Sequence, residues 1–242
     1  MIAEYAFYGA EDINSIVFAG RTMEQDKKAF LSCEAEKIVI TGCDLVIGEN
    51  AFSYCEDVSQ VYISNSKLEV ETYAFYDTGK DMSVKIVNCT GVLDDKAFLS
   101  CGLTTLNISG GETVMGDNAF SYCEDLTDVT IGAGNIEIGT YSFYDCTSLV
   151  NVSIAADSED DSIVLVIDDK AFQSCSVQNV VIGRGNVELG DNAFSYCEDL
   201  VSVEIKGVLS DIGDYVFYDC PAELVISYNG GNYNKESIED VK

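Results

Sequence analysis

One short apolar phrase, usually Ala-Phe, returns ten times along this chain, with its Phe at Phe7, Phe30, Phe52, Phe75, Phe98, Phe120, Phe143, Phe172, Phe194 and Phe217. The steps are 23, 22, 23, 23, 22, 23, 29, 22 and 23 residues. A fixed period in the twenties defines units too small to bury an apolar face alone, so each must stack on its neighbours. The period therefore predicts a repeat solenoid, mainly β, of about ten repeats. The 242 residues suffice for one elongated domain, with the solenoid over 1–226 and a polar C-terminal tail over 227–242.

The clearest unit runs from Asp117 to Ile131, and after Phe120 its apolar residues fall at Cys123, Leu126, Val129 and Ile131. Its Val-x-Ile ending has the period of two that turns alternate strand side chains inward. One parallel strand per turn, stacked at about 4.8 Å, predicts a body roughly 48 Å long. Ile136 and Ile138, followed by Gly139, return the chain along the opposite side, and Ala-Phe then makes a short turn or helical step. The open sheet face is expected to run from Ser15 and Val17 in the first unit to Glu223 and Val225 in the last.

Between Ile154 and Phe172 six extra residues form a polar acidic insertion near 155–162, read as a surface loop. Units also alternate in three flavours: Tyr-x-Phe-Tyr around Phe75, Phe143 and Phe217; Lys-Ala-Phe at Lys28, Lys96 and Lys170; Asn-Ala-Phe-Ser-Tyr-Cys-Glu-Asp from Asn50, Asn118 and Asn192. Such copying suggests duplication of a three-unit block, which repeats surface groups about 14 Å apart.

The pattern Ala-Phe-x-x-Cys-x-x-Leu-x-x-Val-x-Ile…Ile-Gly-x-x-Ala-Phe resembles the BspA-like leucine-rich repeat family, from about Ile2 to Ile226. That resemblance implies a leucine-rich-repeat right-handed superhelix with one parallel strand per turn and short helical or turn segments. It also implies a place among surface proteins of gut and oral bacteria and some protists, and binding of host or bacterial partners. The chain departs from the family in its single proline, Pro221, where a Pro after each strand is frequent.

No run of about 18 apolar residues is present to span a membrane. Met1 leads at once into the first repeat without the basic and apolar regions of a signal peptide. The expected location is cytoplasmic if the chain is complete, and cell surface or secreted if it is a fragment of a larger protein. Eight of ten cysteines (Cys33, Cys55, Cys101, Cys123, Cys146, Cys175, Cys197 and Cys220) share one slot three residues after the Phe, filled elsewhere by Ala10 or Thr78. That is the mark of a small core position, so the thiols are expected free and buried. Cys43 and Cys89 lie two units apart, too far to pair.

Forty-two acids against 13 bases give a net charge of −29, which excludes direct nucleic-acid binding. Little of that charge falls on the sheet face, so it belongs on the turns. Partner-binding candidates are the tyrosines and acids of the Asn-flavoured units: Tyr54, Glu56, Asp57; Tyr122, Glu124, Asp125; Tyr196, Glu198 and Asp199. Half-exposed tyrosines beside carboxylates make binding anchors for a basic partner. A solvated, aggregation-resistant surface with tyrosines packing around each turn is the plainer reading, and composition alone favours it.

The chain reads as no enzyme. It has no histidine, no glycine-rich phosphate loop after a strand, and paired carboxylates that recur with the repeat. No cofactor and no metal site is expected, since no Cys-x-x-Cys or calcium loop occurs; the run 157–161 could hold a cation only loosely. The expected function is a non-catalytic protein–protein interaction module. The alternatives are an acidic inhibitor that mimics nucleic acid for a basic enzyme, of phage anti-defence type, or a fragment of a bacterial cell-surface adhesin.

Overall fold

The computed structural model describes residues 1–20, 22–132, 134–155, 161–238 and 241. Most of the acidic insertion, 156–160, lies outside the described residues, and with it most of the 157–161 run. In chain order the strands are β1 (Ser15–Ala19), β2 (Met23–Glu24), β3 (Lys37–Thr41), β4 (Asp44–Ile47), β5 (Gln60–Ser64) and β6 (Lys67–Val70). Two long strands follow, β7 (Met82–Leu93) and β8 (Leu103–Met115). Then come β9 (Asp128–Ile131), β10 (Ile136–Ile138), β11 (Asn151–Ile154), β12 (Val164–Ile167), β13 (Asn179–Ile182) and β14 (Asn186–Leu189). The last are β15 (Ser202–Ile205), β16 (Val208–Ile212), β17 (Val225–Tyr228), β18 (Gly231–Tyr233) and a single helical turn, α1 (Lys235–Ile238).

The chain is a mainly β parallel solenoid of about nine turns with almost no helix, and each turn has three walls. β1, β3, β5, the first halves of β7 and β8, then β9, β11, β13, β15 and β17 form one parallel ladder. β2, β4, β6, the second halves of β7 and β8, then β10, β12, β14 and β16 form another. The return segment is thus itself a strand, so a turn carries two parallel strands where one was expected. The physical reason is visible in β10: Ile136 and Ile138 are buried around an exposed Glu137, the same alternation that makes the first strand. β7 and β8 run through the corner between the ladders at Gly91 and Gly111. A Cβ on either would lie 1.8 Å from the carbonyl oxygen of Leu68 or Cys89, so only glycine fits.

The third wall is the Ala-Phe segment, and it is a double turn with no helix in it. In every repeat the residues two before and two after the Phe have left-handed backbone, as at Asn50 and Tyr54 around Phe52 (φ 55° and 60°). This bends the chain so that alternate N–H groups point along the rod. Lys28, Phe30 and Ser32 donate to the carbonyls of Glu49, Ala51 and Ser53 in the following turn, while Ala51 and Ser53 close local turns onto Gly48 and Asn50. All ten Phe rings therefore stack face to face, with consecutive centroids 4.5 to 5.8 Å apart and planes within 14°. With the inward Ile, Val and Leu rows of both sheets, they fill one continuous core.

All ten cysteines are free and buried. The slot after the Phe is a donor position as well as a small one. The thiols of Cys55, Cys101, Cys123, Cys146, Cys175, Cys197 and Cys220 each reach the Phe carbonyl of the preceding turn, at 2.7 to 3.4 Å. Thr78 makes the same bond with its hydroxyl, 2.6 Å from the Phe52 carbonyl. Ala10 has no earlier Phe motif in this sequence to meet.

At the C-terminal end two expectations change. Ser202 pairs with Val225 and Val203 with Ile226, so the tenth strand turns Val225 and Ser227 outward, and Glu223 precedes it. Leu224, spaced two from Ile226, imitates an inward strand pair but is buried at the corner outside the strand. Beyond it, the segment read as a polar tail holds β18, antiparallel to β17, and α1 with Ile238 fully buried. These elements occupy the place an eleventh turn would take.

Candidate functional site

The double-turn wall presents its side chains outward at the left-handed positions. Asn, Asp, Gly or Ser would suit that backbone, because a bulky side chain there costs about 1–2 kcal/mol. Yet seven tyrosines stand there: Tyr5, Tyr54, Tyr73, Tyr122, Tyr141, Tyr196 and Tyr215, all with φ between 58° and 60°. On other rungs of the same ladder Asn50, Asn118, Asn192, Asp77, Asp145 and Asp219 fill these positions, as do Gly9, Ser32, Ser100, Ser174 and the long side chains of Lys28, Lys96 and Lys170.

The tyrosines form three like clusters. Tyr54 meets Tyr76 edge-on at 5.4 Å and Tyr76 meets Tyr73 at 5.6 Å. Tyr122, Tyr144 and Tyr141 repeat this at 5.5 and 5.3 Å, and Tyr196, Tyr218 and Tyr215 at 5.5 and 5.9 Å. Edge-to-face pairing holds each ring in a fixed attitude while leaving part of it in water. Tyr54, Tyr122 and Tyr196 remain 45%, 43% and 43% exposed. The Tyr144 hydroxyl is raised above its ordinary range by desolvation, then by Tyr122, Asp145 and Tyr141, so it stays a protonated donor.

Of the sequence candidates, Glu56, Asp57, Glu124, Asp125, Glu198 and Asp199 are all exposed, two to three residues beyond their tyrosine. The nine candidates do not converge on one point. They fall into three clusters, three turns or about 14 Å apart, each joined by two tyrosines of the next turn that are not among the nine. The signal for those partners was the Tyr-x-Phe-Tyr flavour, whose meaning depends on knowing that successive turns superpose.

Other acids of the turns hold neighbouring turns together. A carboxylate oxygen of Asp95 accepts the Asp117 N–H at 2.9 Å, Asp117 accepts from Thr140 at 3.0 Å, Asp169 from Asp191 at 2.8 Å and Asp191 from Asp214 at 2.7 Å. Glu71 does the same for Glu49 at 2.8 Å. Behind this row, Asp94 and Asp168 have raised pKa values. Burial is the first cause for both, followed by Glu69 and Asp95 around Asp94, and by Glu137 and Asp169 around Asp168.

Four of the interior thiols are held in the unreactive, protonated form, while the hydrogen bond from Cys55 lowers the pKa of Cys33. Burial is the main force raising those of Cys101, Cys146 and Cys197 well above the ordinary range, and it lifts Cys220 to about 11, so all four are protonated at neutral pH. Among the described residues no cluster of His, Cys, Asp or Glu is arranged to hold a metal ion. Nor, among them, is any helix long and apolar enough to cross a membrane.

A family of known proteins matches this chain along nearly its whole length. The family described as BspA type leucine rich repeat region matches over residues 1–101, 46–163 and 165–237, in six copies. A solved structure titled as a leucine-rich repeat protein from Bacteroides ovatus ATCC 8483 is similar at 17% identity and a TM-score of 0.47. The similarity covers 80% of this chain and 61% of that one, so the chain spans about three fifths of that protein's length. No curated protein matches the sequence.

Proposed function

Because the chain belongs to the BspA-type leucine-rich repeat family, we propose that it is a non-catalytic protein-interaction module whose partner docks along the tyrosine face of its turns. Leucine-rich repeat families are generally non-catalytic and commonly serve protein interaction. The observation that carries the reading to a particular face is the strained backbone of its tyrosines. Seven large aromatic residues stand where Asn or Asp fits at lower cost, and strain of this kind collects where function requires it.

The partner's contact surface is basic. Glu56 and Asp57, Glu124 and Asp125, and Glu198 and Asp199 border the three tyrosine clusters on a chain of net charge −29. Three equivalent sites on one rigid rod favour a partner with several contacts, because linked weak contacts gain from effective concentration. Members of this family are often surface proteins, so display at a cell surface is part of the proposal.

The test replaces Tyr54, Tyr122 and Tyr196 together by Asn. Partner capture should fall by at least about tenfold, while the melting temperature holds or rises because the left-handed strain is relieved. Unchanged capture, or a clear loss of stability, would return these tyrosines to a packing role. Binding should also weaken steeply between low and high salt.

A further inference from the structure

The tyrosine two residues before the Phe has a lysine of the next turn above it in each of the first three blocks. Lys28 lies over the ring of Tyr5 at 5.7 Å, Lys96 over Tyr73 at 5.7 Å and Lys170 over Tyr141 at 5.0 Å. Lys170 also donates from Nζ to the Tyr141 hydroxyl at 2.9 Å. Both residues of each pair occupy the same rung of adjacent turns, so superposition of turns alone brings ammonium and ring together. An ammonium over an aromatic face is attracted by the ring quadrupole.

Tyr215 is the fourth copy of this tyrosine, and the pattern stops there. The chain after it leaves the repeat, placing antiparallel β18 and α1 where the next turn would stand. Among the described residues no lysine lies over its ring, which is 61% exposed. Tyr215 and Tyr218 instead wall a cavity of about 410 Å³ that also reaches Phe217, Asp219, Lys235 and Glu236. Lys235 is occupied elsewhere, with Nζ 2.6 Å from the Cys220 carbonyl, in the place that the next turn's N–H holds on the carbonyls of Cys55 (Gly79) and Thr78 (Gly102). The cavity thus offers the rings of Tyr215, Tyr218 and Phe217 and two carboxylates, Asp219 and Glu236, with the Lys235 ammonium drawn to the Cys220 carbonyl.

We propose that the Tyr215–Tyr218 cavity binds a lysine side chain of a partner protein, taking the position that Lys28, Lys96 and Lys170 hold in the earlier copies. The molecule itself defines the ligand chemistry, since the same rung is filled three times by an alkylammonium group. Asp219 and Glu236 supply the charge that retains it, and the rings orient it. This site goes beyond the interaction reading. It needs only a lysine peptide, so its failure would leave the faces of Tyr54, Tyr122 and Tyr196 untouched.

The experiment follows ring-labelled tyrosines by NMR while the full chain is titrated with tetralysine at low salt. Tyr215 and Tyr218 should shift saturably, with Tyr73 and Tyr141 still. Tyr215→Asn should weaken binding about tenfold, and it installs the residue already found on that rung at Asn50, Asn118 and Asn192, so folding is kept. Lys96→Met should in turn make Tyr73 responsive to the peptide. A silent Tyr215 beside a responsive Tyr73 in Lys96→Met would mean that the cap closes the site, overturning the proposal. Equal shifts across all exposed tyrosines would reduce it to diffuse attraction by an acidic rod. A Tyr215-dependent dimer without peptide would assign the position to a second copy of this chain and also overturn it.

Discussion

The wall of phenylalanine turns and the wall of the second sheet stack at the same pitch in the same rod, yet they tolerate very different sequences. Along the second sheet one outward row reads Glu24, Val46, Glu69, Val92, Val114, Glu137, Val166, Glu188 and Asp211, in strand register with no fixed residue type. Along the turns the Phe recurs on every rung, and the slot three residues on holds Cys or Thr on all rungs but the first. The difference lies in what joins one turn to the next. In the sheet, backbone bonds backbone and the outward side chain is a spectator. In the turns, backbone bonds also link neighbours, but side chains add joints of their own: stacked rings, thiols on Phe carbonyls, carboxylates on N–H groups.

The harshest way to break that comparison is Phe120→Ala set against Val114→Ala. The first removes a fully buried ring from the middle of the stack and should cost about 3–5 kcal/mol in denaturant unfolding. The second trims an outward side chain and should stay within about 0.5 kcal/mol. Equal losses would show that the two walls are not held differently.

A finer cut separates the donor from its volume. Cys123→Thr keeps a donor for the Phe98 carbonyl, as Thr78 does for Phe52, whereas Cys123→Val has the same shape without one. Val should be the less stable by about 1–3 kcal/mol, the cost of an unpaired buried acceptor. No gap between the two would leave the slot defined by size alone. For the carboxylates, Asp117→Ala loses the bond to the Thr140 N–H and should cost about 0.5–1.5 kcal/mol. Glu137→Ala on the second sheet should cost nothing or stabilise, since Glu137 opposes the charge on Asp168.

The smallest expected effect concerns pH. Asp94 and Asp168 hold their protons to higher pH folded than unfolded. As pH rises through the carboxylate range the folded state is then the one binding more protons, so the stability these groups contribute falls; acidifying returns it. Paired Asp94→Asn and Asp168→Asn changes should raise the melting temperature most at neutrality, with the gain shrinking toward about pH 4. A gain independent of pH would contradict that origin.

Much of this was legible in the residues. The period located every Phe, the shared slot gave the buried thiols, and the alternation gave the first sheet's outward rows up to Glu204. The last strand slipped because Leu224 and Ile226 imitate an inward pair, although nine residues on from Phe217, the Phe120-to-Val129 interval, is Ile226. The cap was obscured by a polar composition in which Tyr233 and Ile238 carry the packing. At the candidate surface the nine residues were readable, but their grouping was not. Left-handed tyrosines run against local preference, so nothing in the sequence marks them, and the ring pairs exist only between turns.

The central claim is that successive turns lie directly on one another through a single column of rings. Selective ring labelling of Phe with inter-ring NOE measurement tests it most directly. Phe52, Phe75, Phe98, Phe120 and Phe143 should each contact only the Phe one repeat before and one repeat after. Contacts between rings two or more repeats apart, or rings with no aromatic neighbour, would contradict the stacked rod.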